Sequence, residues 1–422
     1  MELTPPRGTQ DLLPPEAGRM LALYQLGAKV AHRYGYRYVE TPAFEQTELF
    51  RRTSGESSDV VRKEMYTFED RNHRLLTLRP EATAPIVRAY LERGGGLPSP
   101  FKVFTIERMW RYGRPQSGRH REFRQFDAEV IGERDWDADV EVISLGDAFL
   151  REARIGDFEL QINSIGDEKC RPAYRAELIE YLRAHQNELK DEHKERFEEN
   201  PLRVLDCKDE ACRRVAEGAP KIVDRLCDDC QEHFAGVQEG LRTEGVTSVI
   251  NPTLVRGLDY YTRTTFEWVS GRLARGQDSV GGGGRYDGLA EVLGGPATPA
   301  VGFAIGLERV LLLLEREGTI QDLEGPAVFV VGVGDVSRSA IAGLVRGFRS
   351  AGLAAGQSLE SRSLKAQLRM ADRSGARFAV IVGERESAAR TVTVRRLSDG
   401  HQEELSLDDA VAWIAAEGKT TT

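Results

Sequence analysis

Apolar positions recur with helical spacing from Gly18 to Tyr34, and short strand-like runs follow, among them Leu75 to Leu78, which Arg79-Pro80 closes. Phe101 to Tyr112 and Arg121 to Ile131 both have strand character. The stretch between them, Gly113-Arg114-Pro115-Gln116-Ser117-Gly118, is rich in turn formers and predicts an antiparallel hairpin with a long polar loop. From Cys170 to Leu241 the pattern becomes highly charged and helical. Within it, Asn187 to Asn200 alternates acids and bases without an apolar face of any width, so this region reads as an insertion. Strand-like sequence resumes at Ser248 to Asn251 and Tyr261 to Val269. A glycine run, Gly281 to Gly284, comes next, and Gly302-Phe303-Ala304-Ile305-Gly306 leads into an apolar helix from Leu307 to Leu314.

Polar sequence from Glu315 to Glu324 reads as a linker, and the buried-type strand Ala327 to Val333 opens a second domain. Helical runs at Ser337 to Ser350, Leu364 to Ala371 and Leu407 to Ala416 alternate with strands at Phe378 to Val382 and Thr391 to Arg395, a small α/β pattern. The expected organisation is a core domain of residues 1–169 and 242–320, a helical insertion at 170–241, and a C-terminal domain at 326–422.

The 422-residue length fits two or three domains, and 40% hydrophobic with 30% charged residues is ordinary for a soluble protein. No segment approaches the roughly 18 consecutive apolar residues of a membrane helix. Residues Met1 to Ala17 lack the apolar stretch of a secretory signal, which points to the cytoplasm. Five cysteines, an odd number, form no disulfide framework and fit a reducing compartment. The net charge of -9 disfavours indiscriminate binding to polyanions. Locally the balance differs: six arginines (108, 111, 114, 119, 121, 124) lie between Glu107 and Arg124 among Trp110, Tyr112 and Phe123, and residues 326–422 carry 13 Lys/Arg against 11 Asp/Glu.

No phosphate-loop sequence is present, and Gly332-Val333-Gly334 lacks the third glycine of a dinucleotide fingerprint, with Ser337 in its place. Bound phosphates would therefore need side chains, and arginine offers the fork that matches them. Taken alone, the arginine run reads equally as a solvated face of an exposed hairpin, and Tyr260-Tyr261 as two core tyrosines. The glycine run allows either a close backbone approach to a ligand or a plain flexible turn.

Six separated segments, in order, resemble the class II aminoacyl-tRNA synthetases, and specifically the histidyl-tRNA synthetase family, nearly from end to end. They are Pro5-Pro6-Arg7-Gly8-Thr9-Gln10-Asp11, Gly35 to Phe50 with Pro42 (motif 1), and Trp110 to Gly132 with Arg114-Pro115-Gln116 (motif 2). The others are Leu254-Val255-Arg256-Gly257-Leu258-Asp259-Tyr260-Tyr261, Gly283-Gly284-Arg285-Tyr286-Asp287-Gly288, and Gly302 to Val310 (motif 3). The resemblance implies an α+β catalytic domain on an antiparallel sheet and a C-terminal α/β anticodon-binding domain. It implies activation of L-histidine by ATP with Mg2+, transfer to tRNA(His), and a homodimer.

Arg111 and Arg256 are then the catalytic candidates at the α-phosphate, where preorganised cations stabilise developing charge. Arg309 would hold the γ-phosphate and Phe123 would stack on adenine. Glu81, Thr83 and Gln125 would hold the α-amino group, Glu129 and Tyr261 would meet the imidazole, and Tyr260 would line the pocket beside Arg111 and Arg256. Arg114, Gln116 and Arg121 would meet the tRNA acceptor end. The family commonly has an acid where Gly113 stands, so an adenine contact from that position is not expected here. A non-catalytic regulatory subunit of histidine biosynthesis on the same fold is the alternative. Cys207, Cys212, Cys227 and Cys230, with His233 nearby, have a spacing close to that of a zinc site and equally read as buried free thiols.

Overall fold

A computed structural model of the chain describes residues 3–54, 60–94, 96–207, 209–256, 260–274, 278–319, 326–334, 336, 338–358 and 363–417. The chain divides into two compact units, Met1–Gln321 and Asp322–Thr422. The positions Gly257, Leu258 and Asp259 of the segment Leu254 to Tyr261, most of the linker after Thr319, and Ser337 lie outside the described residues.

The first unit is organised by an eight-stranded sheet. In spatial order its strands are Arg37–Tyr38, Phe101–Trp110, Glu122–Ile131, Ala300–Gly306, Ser279–Arg285, Thr262–Val269, Glu159–Ser164 and Ser248–Ile250. The inner six pair antiparallel, and only the two edge strands are parallel to their neighbours. The expected hairpin forms, with Trp110 opposite Glu122 at its loop end. Helices Glu16–Arg33, Asp137–Glu152 and Leu307–Glu317 pack on the sheet through Leu23, Val30, Val142, Phe149, Val310 and Leu313, against Phe104, Phe126, Phe266, Trp268 and Phe303. A smaller sheet, Phe44–Gln46, Leu75–Leu78 and Tyr66–Glu69, stands beside it. Buried Arg79 fixes the approach to Pro42 by donating to the carbonyl of Thr41 at 2.6 Å and pairing with Glu107 at 2.7 Å.

Gly281 to Gly284 form neither a turn nor a loop; they are the middle of the strand Ser279–Arg285. A Cβ on Gly283 would sit 1.9 Å from the carbonyl oxygen of Gly302, and one on Gly282 would sit 2.5 Å from that of Phe266. The strand is glycine because its neighbours on both sides leave no room for a side chain.

In the insertion, Tyr174, Leu178, Leu182, Val204, Val215 and Ile222 form a separate core, while helix Asp228–Thr243 turns Phe234, Val237 and Leu241 into the main one. The helix expected from Asn187 to Asn200 shrinks to Gln186–Glu188 and Asp191–Lys194, since alternating charges leave only Leu189 and Phe197 to bury.

The second unit has its own sheet, ordered Ala355–Gln357, Val328–Gly332, Phe378–Val382, Thr391–Arg396 and Gln402–Ser406. The first three strands are parallel and the last two antiparallel. Helices Arg338–Ser350 and Leu407–Glu417 cover one face through Phe348 and Ile414.

Arg285, which has no exposed side-chain surface, pairs with Asp139 on helix Asp137–Glu152, donates to the carbonyls of Glu133 and Asp135 at 2.9 Å each, and reaches Asp287 at 3.2 Å. His233 meets the other oxygen of Asp139 at 3.3 Å. Despite burial, Arg285 and His233 together hold the Asp139 carboxyl down at about 2. Removing one partner of a buried pair leaves the other uncompensated. Arg285→Met is therefore expected to destabilise this unit by about 3–5 kcal/mol in urea unfolding, and a loss below about 1 kcal/mol, the range of a surface pair, would contradict the assignment.

Candidate active site

The hairpin, the glycine strand and the start of helix Leu307–Glu317 enclose a cavity of about 450 Å³. Glu81, Thr83, Arg111, Phe123, Gln125, Arg256, Tyr260, Tyr261 and Arg309 all line it. These residues come from five separate stretches of chain, and local geometry aims each one. Arg111 follows the end of strand Phe101–Trp110; its backbone N–H donates to the carbonyl of Arg121 at 2.9 Å, its Nε to that of Pro80 at 2.8 Å, and its guanidinium lies 5.3 Å over the Phe123 ring. Arg256 pairs with Glu267 at 2.7 Å, and its buried Nε has no hydrogen-bond partner among the described residues. Arg309 is the third residue of its helix, and its neighbour Glu308 is locked to strand Glu122–Ile131 by Arg124, whose N–H donates at 2.9 Å and whose side chain pairs at 3.0 Å. With Glu308 held in the core, Arg309 turns to the cavity and donates to the carbonyl of Ser279.

The arginine run is thus not one charged face. Arg111 and Arg119 line the cavity, Arg124 is buried in its pair with Glu308, and Arg108 pairs with Glu122 on the outside at 3.3 Å. Arg114 and Gln116 are exposed on the hairpin loop, away from the cavity lining. Arg121 stacks on Tyr112 at 3.7 Å and donates to the carbonyls of Gly113 at 3.2 Å and Arg7 at 3.5 Å, so it ties the N-terminal segment to the loop. Where the family acid would stand, a Cβ on Gly113 would lie 3.1 Å from the Arg119 guanidinium, which pairs with Glu64 at 2.6 Å.

Glu129 does not line the cavity; it is the layer beneath it. One carboxyl oxygen accepts from Thr83 Oγ1 at 2.6 Å and the other from the Tyr286 hydroxyl. A Cβ on Gly302 would strike Glu129 Oε2, at 1.5 Å, which explains the glycine of motif 3 at that position. Burial raises Glu129 to about 8, against the lowering effect of Thr83 and Tyr286. Glu81 accepts from the Ala84 N–H at 3.2 Å, and burial raises it to about 7. Burial also pushes Asp127 well above the usual carboxylate range. Three acids of the site are therefore held neutral or close to it, because desolvation outweighs the opposing effect of Arg111 on Glu81 and of Arg79 on Asp127. Burial lowers the Arg111 and Arg309 pKa, while Arg256, also buried, is raised by Glu267.

Asp127, Tyr286, Arg119 and Glu267 are cavity residues that pattern reading did not single out. Asp127 had a signal: Gln125, Asp127 and Glu129 share one face of a strand by the two-residue period.

An antiparallel platform carrying an arginine-walled pocket over buried acids defines the catalytic core of a class II aminoacyl-tRNA synthetase. The histidyl-tRNA synthetase family model matches residues 8–310, and an anticodon binding domain model matches 327–417. The histidine-tRNA ligase of Moorella thermoacetica is 49% identical over 406 residues, 95% of each chain, and that of Desulforamulus reducens is 46% identical over 99% of this chain and 100% of its own. The solved structure of apo S. aureus histidyl-tRNA synthetase superposes with a TM-score of 0.80 at 32% identity, covering 98% of this chain and all of that one. The chain belongs to the histidyl-tRNA synthetase family.

A carboxyl whose folded pKa is raised binds a proton on folding, so its stabilising contribution is complete below the unfolded value of 4.5 and is lost as pH rises through about 8 for Glu129. Glu129→Gln carries no such charge. In the ligand-free protein its melting temperature relative to wild type should climb steadily from about pH 5 to about pH 8.5; a difference constant over that range would show that Glu129 is already ionised in the empty site.

Proposed function

We propose that this chain is a histidine-tRNA ligase, which condenses L-histidine with ATP to histidyl-adenylate and pyrophosphate and then transfers histidine to the 3′ end of tRNA(His). The observation that carries the proposal is the convergence of Arg111, Arg256 and Arg309 with Glu81 around one cavity, over the buried acid Glu129 that accepts from Thr83 in its wall.

In the first step the histidine carboxylate attacks the α-phosphorus. Arg111 and Arg256 are the catalytic groups: their forks hold carboxylate and α-phosphate oxygens in line and stabilise the charge that grows on the phosphoryl group. The unpartnered Nε of Arg256 is a donor that such an oxygen satisfies. Arg309 holds the γ-phosphate at the far end, and Phe123, backed by Arg111, offers adenine a stacking face. ATP enters as its Mg2+ complex, in which the cation draws charge from the phosphate oxygens. Among the lining carboxylates, Glu81 and Asp127 are protonated or nearly so and Glu308 is buried against Arg124, which leaves Asp206, and Glu267 beside Arg256, as those whose chemistry would suit the cation.

Histidine is selected by groups that other side chains would leave unpaired. Glu81, Thr83 and Gln125 receive the α-ammonium, Tyr261 meets the imidazole with Glu129 acting from beneath through Thr83 and Tyr286, and Tyr260 closes the wall. In the second step the terminal ribose hydroxyl displaces AMP. Arg114 and Gln116 on the exposed loop, with Arg121 bracing it, meet the acceptor end, and the unit at 326–422 meets the anticodon. Residues 1–169 and 242–320 then act as the catalytic domain and 170–241 as an insertion.

The enzyme works as a homodimer in the cytoplasm. Exposed Tyr38 and Phe44 within motif 1, with Phe68 packed on Phe44 and Leu75 on the neighbouring strand, support the dimer, since exposed large apolar side chains are what a partner covers. No described helix is long and apolar enough to cross a membrane.

ATP-pyrophosphate exchange measured with each amino acid separately tests the proposal: histidine alone should support exchange, and absence of exchange with histidine would end it in favour of a non-catalytic regulatory subunit. Arg256→Ala should lower histidine-dependent exchange by about 10²–10³-fold or more, with the dimer unchanged in sedimentation.

A further inference from the structure

The four cysteines whose spacing suggests one zinc site do not come together. The five cysteine sulfurs fall into two groups, Cys170, Cys227 and Cys230 with Asp167, and Cys207 and Cys212 with His193. We propose that Asp167, Cys170, Cys227 and Cys230 form a structural zinc site that ties the base of the insertion to the histidine pocket.

The donor atoms of this group lie within 4.8 Å of one another, and the individual distances are more telling. Cys170 Sγ and Cys230 Sγ are 3.9 Å apart, and Asp167 Oδ1 lies 3.5 Å from Cys170 Sγ and 3.7 Å from Cys227 Sγ. Tetrahedral zinc with bonds of ~2.3 Å to sulfur and ~2.0 Å to oxygen requires sulfur pairs ~3.8 Å apart and sulfur-oxygen pairs ~3.5 Å apart. The sulfurs are too far apart to be a disulfide and are spaced to share an ion. No disulfide joins any of these cysteines.

The surroundings are built for it. Asp167 divides its oxygens: Oδ1 faces the thiols and accepts from the Lys169 N–H at 3.0 Å, while Oδ2 points to Arg263 at 3.5 Å. The Asp167 N–H donates to Cys170 Sγ at 3.3 Å, a contact that favours a thiolate. Gly166 has φ +67°, and a Cβ there would lie 2.5 Å from Cys170 Sγ, so the backbone wraps the sulfur. Cys227 is the N-cap of helix Asp228–Thr243 and Cys230 lies in its first turn, where the helix dipole favours anionic sulfur. Three thiolates and a carboxylate around Zn2+ leave a net charge of -2, and Arg263 is placed to offset part of it.

Cys170 begins helix Arg171–Ala184, the first of the insertion, and Cys227 begins the last, so an ion here closes the insertion at its base. The same base is joined to the pocket. Arg171 donates to the carbonyl of Tyr261 at 2.9 Å, and the N–H of Arg263 donates to the carbonyl of Gly166 at 2.8 Å.

The full-length protein, purified under reducing conditions without a metal-affinity tag, should contain about one zinc per chain by elemental analysis. Cys230→Ser and Cys170→Ser should each lose most of it, and Cys207→Ser should retain it. Metal stripped by a chelator and replaced by Co2+ should give the intense visible and near-ultraviolet bands of a tetrahedral thiolate complex, a readout on the native sequence that does not depend on any variant folding. Zinc well below one per chain together with no cobalt spectrum would overturn the proposal, as would zinc that leaves with Cys207→Ser and stays with Cys230→Ser. These measurements are independent of whether the protein charges tRNA.

Discussion

Arg285 is buried on every side, and five donor contacts, to Asp139, Asp287 and the carbonyls of Glu133 and Asp135, consume its fork. An isolated guanidinium in such a place would cost far more than the fold could absorb, so the strand that carries it can sit in only one position against helix Asp137–Glu152. That position determines the next residue. Tyr286 reaches Glu129, Glu129 accepts from Thr83, and Gly302 gives way to the carboxyl. The segment Gly283-Gly284-Arg285-Tyr286-Asp287-Gly288 therefore acts from below: it sets the register of the strand and the orientation of the acid under the pocket.

The site combines arginines with buried acids. Arg111, Arg119, Arg256 and Arg309 line the cavity together with Glu81 and Asp127, and Glu129 lies beneath it. In the empty protein burial raises Glu129 to about 8 and pushes Asp127 well above the usual carboxylate range, because it removes the water that would stabilise their anions. A cationic ligand end reverses that balance. On the proposed function, a group that offers no positive charge or N–H donor would leave the acids neutral and gain little, which would favour histidine.

Much of this was legible in the chain, and the failures have specific causes. The hairpin read correctly because Phe101 to Trp110 and Glu122 to Ile131 are long and bounded by turn formers. Ser279–Arg285 was opaque because a strand of glycines has no alternating side chains; its reason to exist is the backbone on either side. Helix Asp137–Glu152 is buried on so many faces that its apolar residues leave no clean stripe. Nine lining residues followed from motif resemblance, but not the inert role of Arg124 or the bracing role of Arg121, since identical side chains on adjacent positions differ only in what they touch. The cysteines show the same limit: spacing grouped Cys207 and Cys212 with Cys227 and Cys230, whereas the chain path brings in Asp167 and Cys170 instead.

The central claim is that the acids under the pocket are neutral until the substrate ionises them. Infrared difference spectroscopy of the protein at neutral pH, recorded with and without histidine, addresses it directly. The account predicts that binding removes part of the protonated-carboxyl stretching band and that Glu129→Gln abolishes the larger share of that loss. A protonated-carboxyl band unchanged by a saturating concentration of histidine would contradict it.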